Sequence, residues 1–299
     1  MSPKFHENDL HQLFASHFSP REGILGPGDD CAILVEPPKH LCVSSDQLIE
    51  GVHFDSRASL KQIAEKLVGR CLSDLAAMGA KPYAAILNCT FPEQFSVDNI
   101  VDLSQEILRV ADSYNLPIVG GDCSRSQLLH LSCTVMGEGH SNSPLRSGAK
   151  VGDHVFVSRP LGGSVSSGRH LNPSPELELG RYLVEHYPPN AMMDISDGLD
   201  NDLFRLIRAS NVGVEIDTSS IPLNDGCDWE NAVTEGEDYG LIVVLPPIFQ
   251  KEVNKDVFFS KHPLWCIGEV VLGSQLKYTS NGNILELQKK PFNYEWNPS

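Results

Sequence analysis

The feature that most limits the fold of this chain is an alternation of short apolar runs with segments of helical periodicity. Runs rich in β-branched residues, such as CAILV (31–35), YAAILNCTF (83–91) and GLIVVLP (240–246), predict strands. Residues 59–78 and 97–113 carry regularly spaced apolar side chains and predict helices that pack one face on a sheet. Several strands accompany each helix, so the pattern predicts an α+β or α/β protein.

A change of composition divides the chain. Residues 137–158 are rich in Gly, Ser, Asn and Pro before they resolve into the strand-like HVFVS. We expect a boundary near residue 148, between an N-terminal α+β domain of residues 1–148 and a C-terminal α/β domain of residues 149–299. The 299 residues suffice for real hydrophobic cores, and no short repeat indicates a solenoid.

The charge balance excludes some classes of partner. With 39 acidic and 23 basic residues the chain carries a formal net charge of -16, which repels nucleic acids and anionic membranes. No apolar run has membrane-spanning length, and the first residues do not resemble an export signal. Eight cysteines are scattered without a C-x-x-C pair and predict buried, reduced thiols. We therefore expect a cytoplasmic protein with neither a nucleic-acid nor a membrane partner.

Carboxylates gather at Gly turns and at the ends of predicted strands rather than on helix surfaces. Any one of them has an ordinary explanation as a turn residue or a helix cap. Their recurrence beside four different strands indicates a shared site. These carboxylates are Asp29, Asp30, Asp46, Asp122, Asp194 and Asp197.

Asp74 is a carboxylate on the apolar stripe of a predicted helix. At about 100° per residue it lies between Leu67 and Met78, where an unpaired charge would cost several kcal/mol of lost hydration. Two interpretations stay open. Asp74 is either a buried, metal-facing ligand, or a side chain at the stripe edge that reaches water or pairs with Arg70 four residues earlier.

The kind of ligand predicts the kind of metal. Several carboxylates around one cavity repel each other unless divalent cations compensate, and oxygen ligands without His or Cys clusters favour Mg²⁺ over Zn²⁺. Mg²⁺ takes phosphate oxygens as its remaining ligands. The chain contains no G-x-x-x-x-G-K-[ST], no protein-kinase motif set and no G-x-G-x-x-G after a strand, so any nucleotide site is of another type.

Seven motifs follow one another in a recognisable order. They are GPGDDCAIL (26–34), SSDQLIEGVHF (44–54), LSDLAAMGAKP (72–82), LPIVGGDCSRS (116–126), LRSGAKVGD (145–153), MDISDGLDNDL (193–203) and EGEDYGLIV (235–243). In these motifs the chain resembles the thiamine-phosphate kinase family, which shares a superfamily with aminoimidazole ribonucleotide synthetase. The resemblance implies a two-domain, aminoimidazole ribonucleotide synthetase-like fold. It further implies a homodimer in which two N-terminal sheets pair into a barrel, and a C-terminal α/β domain that closes over nucleotide and substrate.

The resemblance implies an activity: Mg²⁺-assisted, in-line transfer of the γ-phosphoryl group of ATP to thiamine monophosphate, giving thiamine diphosphate. The acceptor is already ionised at neutral pH, so no general base is implied. Two alternatives stay open. The chain is a sister enzyme of the superfamily that uses ATP with another acceptor, or a non-catalytic protein that binds nucleotide or thiamine phosphate.

The family motifs also imply site residues. The metal ligands would be Asp30, Ser44, Ser45, Asp46, Asp74, Asp122, Asp194 and Asp197, with Asp29 supporting them from outside. The ATP contacts would be Gly121, Asp122, Arg146 and Ser196. The substrate contacts would be His53, Glu237 and Phe292.

Several of these residues have ordinary alternatives. Arg146 is otherwise a solvated loop charge, and His53 and Glu237 are otherwise common polar residues. At the C-terminus Tyr294 or Trp296 serves as well as Phe292, and a plain hydrophobic tail anchor is equally compatible with the sequence. Two positions depart from the family pattern on the substrate side, where Glu235 replaces a Gly and Gly240 replaces a Glu.

Overall fold

The computed structural model describes residues 7–18, 21–27, 30–253 and 255–291. The chain divides into two compact units. The first unit holds Met1–Leu75 and Ala80–Gly139, and the second holds Ala76–Gly79 and His140–Ser299. The assignment of roles to domains 1–148 and 149–299 stays a prediction.

The first unit contains helices on a small sheet. Its elements in chain order are α1 (Glu7–His17), β1 (Ile24–Leu25), β2 (Ile33–Leu34), β3 (Leu41–Ile49), α2 (Leu60–Ala77), β4 (Lys81–Pro92), α3 (Val97–Ser113), β5 (Ile118–Ser126) and β6 (His130–Glu138).

The sheet of the first unit has the strand order β3-β6-β4-β5. The β3–β6 and β6–β4 pairs are antiparallel, whereas β4 and β5, joined through α3, are parallel. Helix α2 covers one face, where the Cys71 thiol contacts the Cys133 carbonyl at 3.5 Å. On the other face Ser45, Thr134 and Ile86 follow one another across β3, β6 and β4 with their side chains not fully buried. Successive side chains of each strand therefore point alternately to the face covered by α2 and to the opposite face, which we call the open face.

The two helices predicted in this half are confirmed almost to the residue. Helix α3 begins where Ser96, as N-cap, accepts a hydrogen bond from the Asn99 backbone N–H, and it ends shortly before Pro117. Its strong amphipathic pattern buries Leu103, Ile107 and Val110. Helix α2 begins after Ser59, whose hydroxyl accepts from the Gln62 backbone N–H at 3.3 Å while Gln62 Oε1 accepts from the Ser59 backbone N–H at 3.0 Å, and its apolar stripe is buried.

The second unit is built on a larger sheet. Its further elements are β7 (His154–Val157), α4 (Leu177–His186), β8 (Ala191–Asp194), α5 (Leu199–Ser210), β9 (Gly213–Asp217), α6 (Trp229–Thr234), β10 (Leu241–Leu245), α7 (Pro247–Val253), β11 (Trp265–Val271), β12 (Leu276–Ser280) and β13 (Asn283–Leu285).

The seven strands lie in the order β13-β12-β9-β11-β7-β10-β8, and every neighbouring pair is antiparallel except β9 and β12. All five residues of β10 are buried, as expected for a central strand covered on both faces. Helix α7 ends at Val253, and Asp256 caps a separate 3₁₀ turn at Val257–Ser260. Sequence periodicity does not distinguish one helix from two adjacent turns of this kind.

All eight cysteines are free thiols, as predicted, but only Cys71, Cys89 and Cys133 are buried. In the described part of the chain no helix is long and apolar enough to cross a membrane.

Candidate active site

A cavity of about 730 Å³ in the first unit is lined by two of the predicted metal ligands. Asp30 and Asp122 both line it, and both are exposed. Around them the lining is mostly apolar, with Phe14, Ile86 and Met136 among its residues. Two exposed carboxylates in an apolar cavity provide oxygen ligands of the kind that Mg²⁺ prefers.

Gly121 is required where it lies. A Cβ placed on it would come 1.7 Å from the carbonyl oxygen of Leu87 on the neighbouring strand. The close approach of β4 and β5 therefore allows only glycine here. The close packing of Gly121 against Leu87 thus fixes the backbone next to Asp122, which lines the cavity.

A second group of polar side chains, which we call the β3–α2 cluster, comprises Ser44 and Asp46 on β3 and Arg70 and Asp74 on α2. The Ser44 hydroxyl donates a short hydrogen bond to Asp74 Oδ2. Arg70 Nη2 lies 3.2 Å from Asp46 Oδ1. Residues two apart on a strand and four apart on a helix share a face, so the four side chains lie together.

The register places Asp46 and Asp122 on opposite faces of the sheet. Asp46 on β3 lies opposite Cys133 on β6, and Cys133 lies opposite Leu87 on β4. Asp122 on β5 lies opposite the next residue of β4, Asn88. Leu87 and Asn88 are consecutive and point to opposite faces. Within the first unit the expected ligands therefore form two groups instead of one.

Ser45 is separated from Ser44 and Asp46 by the same alternation. Its hydroxyl hydrogen bonds with Thr134 Oγ1 at 2.8 Å on the open face. The structure does not bring the Ser45 side chain into the β3–α2 cluster.

His53 follows β3 in a tight turn with a defined tautomer. Its Nδ1 accepts a hydrogen bond from the Ile49 backbone N–H at 3.0 Å, which leaves the proton of the neutral ring on Nε2. The fully buried Lys66 donates from Nζ to the His53 carbonyl oxygen at 2.6 Å. The turn therefore presents His53 as a donor through Nε2.

In the second unit the turn after β8 carries Asp194, Ser196 and Asp197. Asp202, fully buried in the first turn of α5, accepts the backbone N–H groups of Ser196 and Asp197, each at 3.0 Å. Arg205 pairs with both Asp197 and Asp202. Burial raises the pKa of Asp202 to about 6, while the backbone donors and Arg205 oppose that shift.

The turn carrying Ser196 is joined to residues 235–240 by backbone hydrogen bonds. Glu237 N–H donates to the Ser196 carbonyl and Tyr239 N–H donates to the Ile195 carbonyl, both at 2.8 Å. The Tyr239 hydroxyl donates to Glu237 Oε1 at 3.2 Å. The predicted ATP contact Ser196 and the predicted substrate contact Glu237 are thus direct neighbours.

Residues 235–240 are anchored by Asp238, which sequence reasoning missed. Its carboxylate has no exposed surface and accepts from Gly162 N–H at 3.1 Å and from Arg169 Nη2 at 2.9 Å. Burial raises its pKa to about 6. The flanking Glu237 and Tyr239 have φ of 63° and 52°, a left-handed conformation that costs energy in non-glycine residues.

Asp202 and Asp238 differ in what the sequence could have shown. An acid in the first helical turn commonly accepts free backbone N–H groups, so that signal for Asp202 was available. The partners of Asp238 lie 69 and 76 residues away in the chain, and no local pattern indicates them.

The two departures from the family pattern have structural partners. Glu235 accepts from Gly163 N–H at 2.6 Å and from Asn231 Nδ2 at 2.7 Å. A Cβ on Gly240 would lie 2.8 Å from Arg159 Cγ. Both residues therefore serve loop packing in this chain.

The remaining predicted residues are placed as follows. Asp194 ends β8 and is 5% exposed, whereas Arg146 is exposed and its carbonyl accepts from the Ser210 hydroxyl at 2.7 Å. Asp29 and Phe292, with the alternatives Tyr294 and Trp296, lie outside the described residues. Among the residues that are described, no three His, Cys, Asp or Glu side chains lie close enough to hold a metal ion.

Comparison with known proteins defines the class. Residues 28–139 match the family model of the AIR synthase related protein N-terminal domain, and residues 150–279 match that of its C-terminal domain. The two matches together span most of the chain, which belongs to the AIR synthase related family. The predicted two-domain fold class is confirmed, whereas the pairing of two N-terminal sheets stays a prediction.

Individual relatives and solved structures identify a narrower family within this one. The thiamine-monophosphate kinase of Rhodopirellula baltica is 34% identical over 244 residues, which cover 75% of this chain and 76% of the relative. The crystal structure of thiamine-monophosphate kinase from Stenotrophomonas maltophilia K279a matches with a TM-score of 0.80 at 28% identity, over 92% of this chain and 96% of that one. AaThiL complexed with AMPPCP and TMP matches with a TM-score of 0.73 at 28% identity, over 84% and 85%. The chain thus belongs to the thiamine-monophosphate kinase family, as the seven motifs predicted.

Proposed function

We propose that the chain catalyses the ATP-dependent phosphorylation of thiamine monophosphate to thiamine diphosphate. Its similarity to thiamine-monophosphate kinases covers most of its length, and AaThiL binds AMPPCP and TMP. The observation in this chain that carries the proposal is the backbone contact between Ser196, expected at ATP, and Glu237, expected at the acceptor. The residues expected to contact ATP, the phosphoryl donor, and thiamine monophosphate, the acceptor, then lie on two loops that contact each other.

This phosphoryl transfer depends on stabilising negative charge and does not depend on a proton transfer by the protein. The acceptor phosphate is ionised at neutral pH, so no residue has to act as a general base. Two polyanions must nevertheless be held in line. Mg²⁺ supplies the positive charge that this requires, and the oxygen-only donors of the chain fit that ion. The expected donors lie in separate groups, which are Asp30 and Asp122 at the cavity, Ser44, Asp46 and Asp74 in the β3–α2 cluster, Ser45 on the open face, and Asp194 and Asp197 at the end of β8 and in the turn after it, with Asp29 expected to support them.

The other expected contacts follow from side-chain chemistry. Arg146 offers a charge-assisted fork to phosphate oxygens, and Gly121 lets the backbone of Asp122 approach ATP. The Nε2–H of His53 suits a phosphate oxygen as a donor. The Glu237 carboxylate, held by Tyr239, suits a cationic thiazolium ring, and Phe292 supplies an aromatic contact.

The proposal includes a cytoplasmic homodimer. The open face of the first unit's sheet carries the exposed apolar side chain Val43, at 59% exposure, which does not line the cavity. A second copy that pairs at this side chain would bury it. Sedimentation of the wild type as a dimer and of the variant Val43→Glu as a monomer is the expected result, and a monomeric wild type at micromolar concentration would remove the dimer from the proposal.

The activity itself is tested with purified protein, MgATP and thiamine monophosphate, with thiamine diphosphate measured by chromatography. We expect product from the wild type and a loss of about 100-fold or more in Asp122→Asn. Asp102→Asn is the matched control, because Asp102 is an exposed acid on α3 of the same unit. Absence of product at every Mg²⁺ concentration would contradict the proposal.

A further inference from the structure

Arg70 in the β3–α2 cluster is placed against a carboxylate that is expected to bind metal. Its Nη2 lies 3.2 Å from Asp46 Oδ1, and the side chains of Arg70 and Asp46 are only 15% and 27% exposed. Because a guanidinium stays charged in proteins, one with so little contact with water is stabilised by an opposite charge beside it. The Arg70–Asp46 pair is therefore partly buried, unlike a solvated surface ion pair, which contributes little to stability.

The same helix face carries Asp74, one turn after Arg70, and Asp74 accepts from Ser44 on the strand that carries Asp46. The cluster thus contains two carboxylates and one guanidinium. Arg70 already compensates one of the two negative charges before any metal arrives.

A Mg²⁺ ion and the Arg70 guanidinium cannot both use Asp46 without repulsion. Magnesium binds carboxylate oxygens at about 2.1 Å, so an ion on either oxygen of Asp46 would lie within about 7 Å of the guanidinium. That distance is shorter than the screening length at physiological salt, which is about 8 Å. Mg²⁺ therefore binds Asp46 more weakly while the Arg70 guanidinium stays in place, and binds it fully only when the guanidinium moves away.

We propose that Arg70 is a resident counter-cation that competes with the divalent metal for Asp46. The proposal rests on the proposed function, because that function makes Asp46 a metal ligand. In the metal-free cluster Arg70 pairs with Asp46, and loading of metal through Asp46 displaces the guanidinium.

Metal affinity, measured without turnover, tests this. Mn²⁺ is titrated into the full chain, and free Mn²⁺ is followed by electron paramagnetic resonance. We expect Arg70→Gln to bind Mn²⁺ about tenfold more tightly than the wild type, and Arg70→Lys, which keeps a cation, to stay near the wild type. Arg109→Gln is the matched control, because Arg109 pairs with Glu65 and Glu106 outside the cluster, and it should not change the affinity. A folded Arg70→Gln that binds Mn²⁺ no more tightly than the wild type overturns the proposal.

A second measurement does not depend on a variant that folds poorly. In wild-type protein labelled with ¹⁵N-arginine, the Nε–H signal of Arg70 should shift when Mg²⁺ is added, whereas that of Arg109 should not. An Arg70 signal that stays in place at saturating Mg²⁺ also overturns the proposal.

Asp46→Asn separates this inference from the proposed function. If Asp46→Asn weakens Mn²⁺ binding and Arg70→Gln has no effect, only the role of Arg70 fails. If Asp46→Asn leaves Mn²⁺ binding unchanged, Asp46 is not a metal ligand, and its place in the proposed function fails together with the inference about Arg70.

Discussion

Asp74 lies on α2 with its Oδ2 accepting a hydrogen bond from the Ser44 hydroxyl, within the same cluster as the Asp46–Arg70 pair. The sequence left two interpretations of this residue open, a metal-facing carboxylate or a partner of Arg70. Helical periodicity could place Asp74 on the packed face of α2, because the helix was predictable. It could not show that Ser44 faces it, because that contact depends on how α2 lies across β3.

Asp74→Asn tests the metal role at this residue. The amide keeps the shape of the side chain and can still accept from Ser44, but it removes the charge. We expect activity to fall about 100-fold or more while the Tm changes by no more than about 2 °C. Activity and thermal unfolding are measured beside Asp102→Asn. A large loss of Tm with normal activity would assign Asp74 to structure.

Asp238 makes the stability of the second unit depend on pH. Its pKa is raised from the ordinary 3.8 to about 6, first because it is buried. Between these values the folded state holds the proton more tightly than the unfolded state, so the stabilising contribution is complete below pH 3.8 and is lost as pH rises through about 6. We expect the free energy of unfolding of the wild type to fall, relative to Asp238→Asn, over this window.

Urea unfolding of both proteins at intervals between pH 4 and 7 measures this difference. A difference that is constant with pH, or that grows in favour of the wild type as pH rises, contradicts the account of Asp238. Neither the burial nor the partners of this residue could be predicted, because Gly162 and Arg169 approach it only in the folded chain.

Among the secondary-structure elements, helices with a clear period were predictable from the sequence, whereas strand register was not. Helices α2 and α3 have a clear period and a clear start or stop, and their predicted ends lie within a residue of those observed. Helices α1, α4 and α6 were missed, and α4 and α6 lie in or near loop-like sequence. The sequence also placed Asp46 and Asp122 at strand ends, whereas both lie inside their strands. Because a shift of one residue in register turns every side chain to the other face, their placement on opposite faces was not readable from the motifs.

Gly121→Ala tests how β4 and β5 set the position of Asp122. The added methyl group would meet the Leu87 carbonyl at 1.7 Å, so the strands must separate. We expect a loss of about 2 to 3 kcal/mol in the free energy of unfolding, together with a loss of activity because Asp122 moves. Gly120→Ala is the matched control, since a Cβ there meets nothing within 4 Å. Equal stability of the two variants, measured by urea unfolding, would show that the strands accommodate the methyl group.

At the scale of the whole molecule, the two-domain class was readable because motif order survives where overall identity is about 30%. The net charge of -16 agrees with a chain whose phosphate substrates are met by cations rather than by a basic surface. The substrate side was less readable. Glu235 and Gly240 depart from the family pattern, and their neighbours Gly163, Asn231 and Arg159 are brought to them only by the folded chain.

The activity proposed for this chain is transfer of the γ-phosphoryl group of ATP to thiamine monophosphate. Its most direct test uses ATP labelled with ¹⁸O in the γ-phosphoryl group, with Mg²⁺, thiamine monophosphate and the full chain, and mass spectrometry of the products. We expect thiamine diphosphate with the labelled phosphoryl group at its terminal position, formed in equal amount to ADP. ADP and labelled free phosphate without labelled thiamine diphosphate would contradict it.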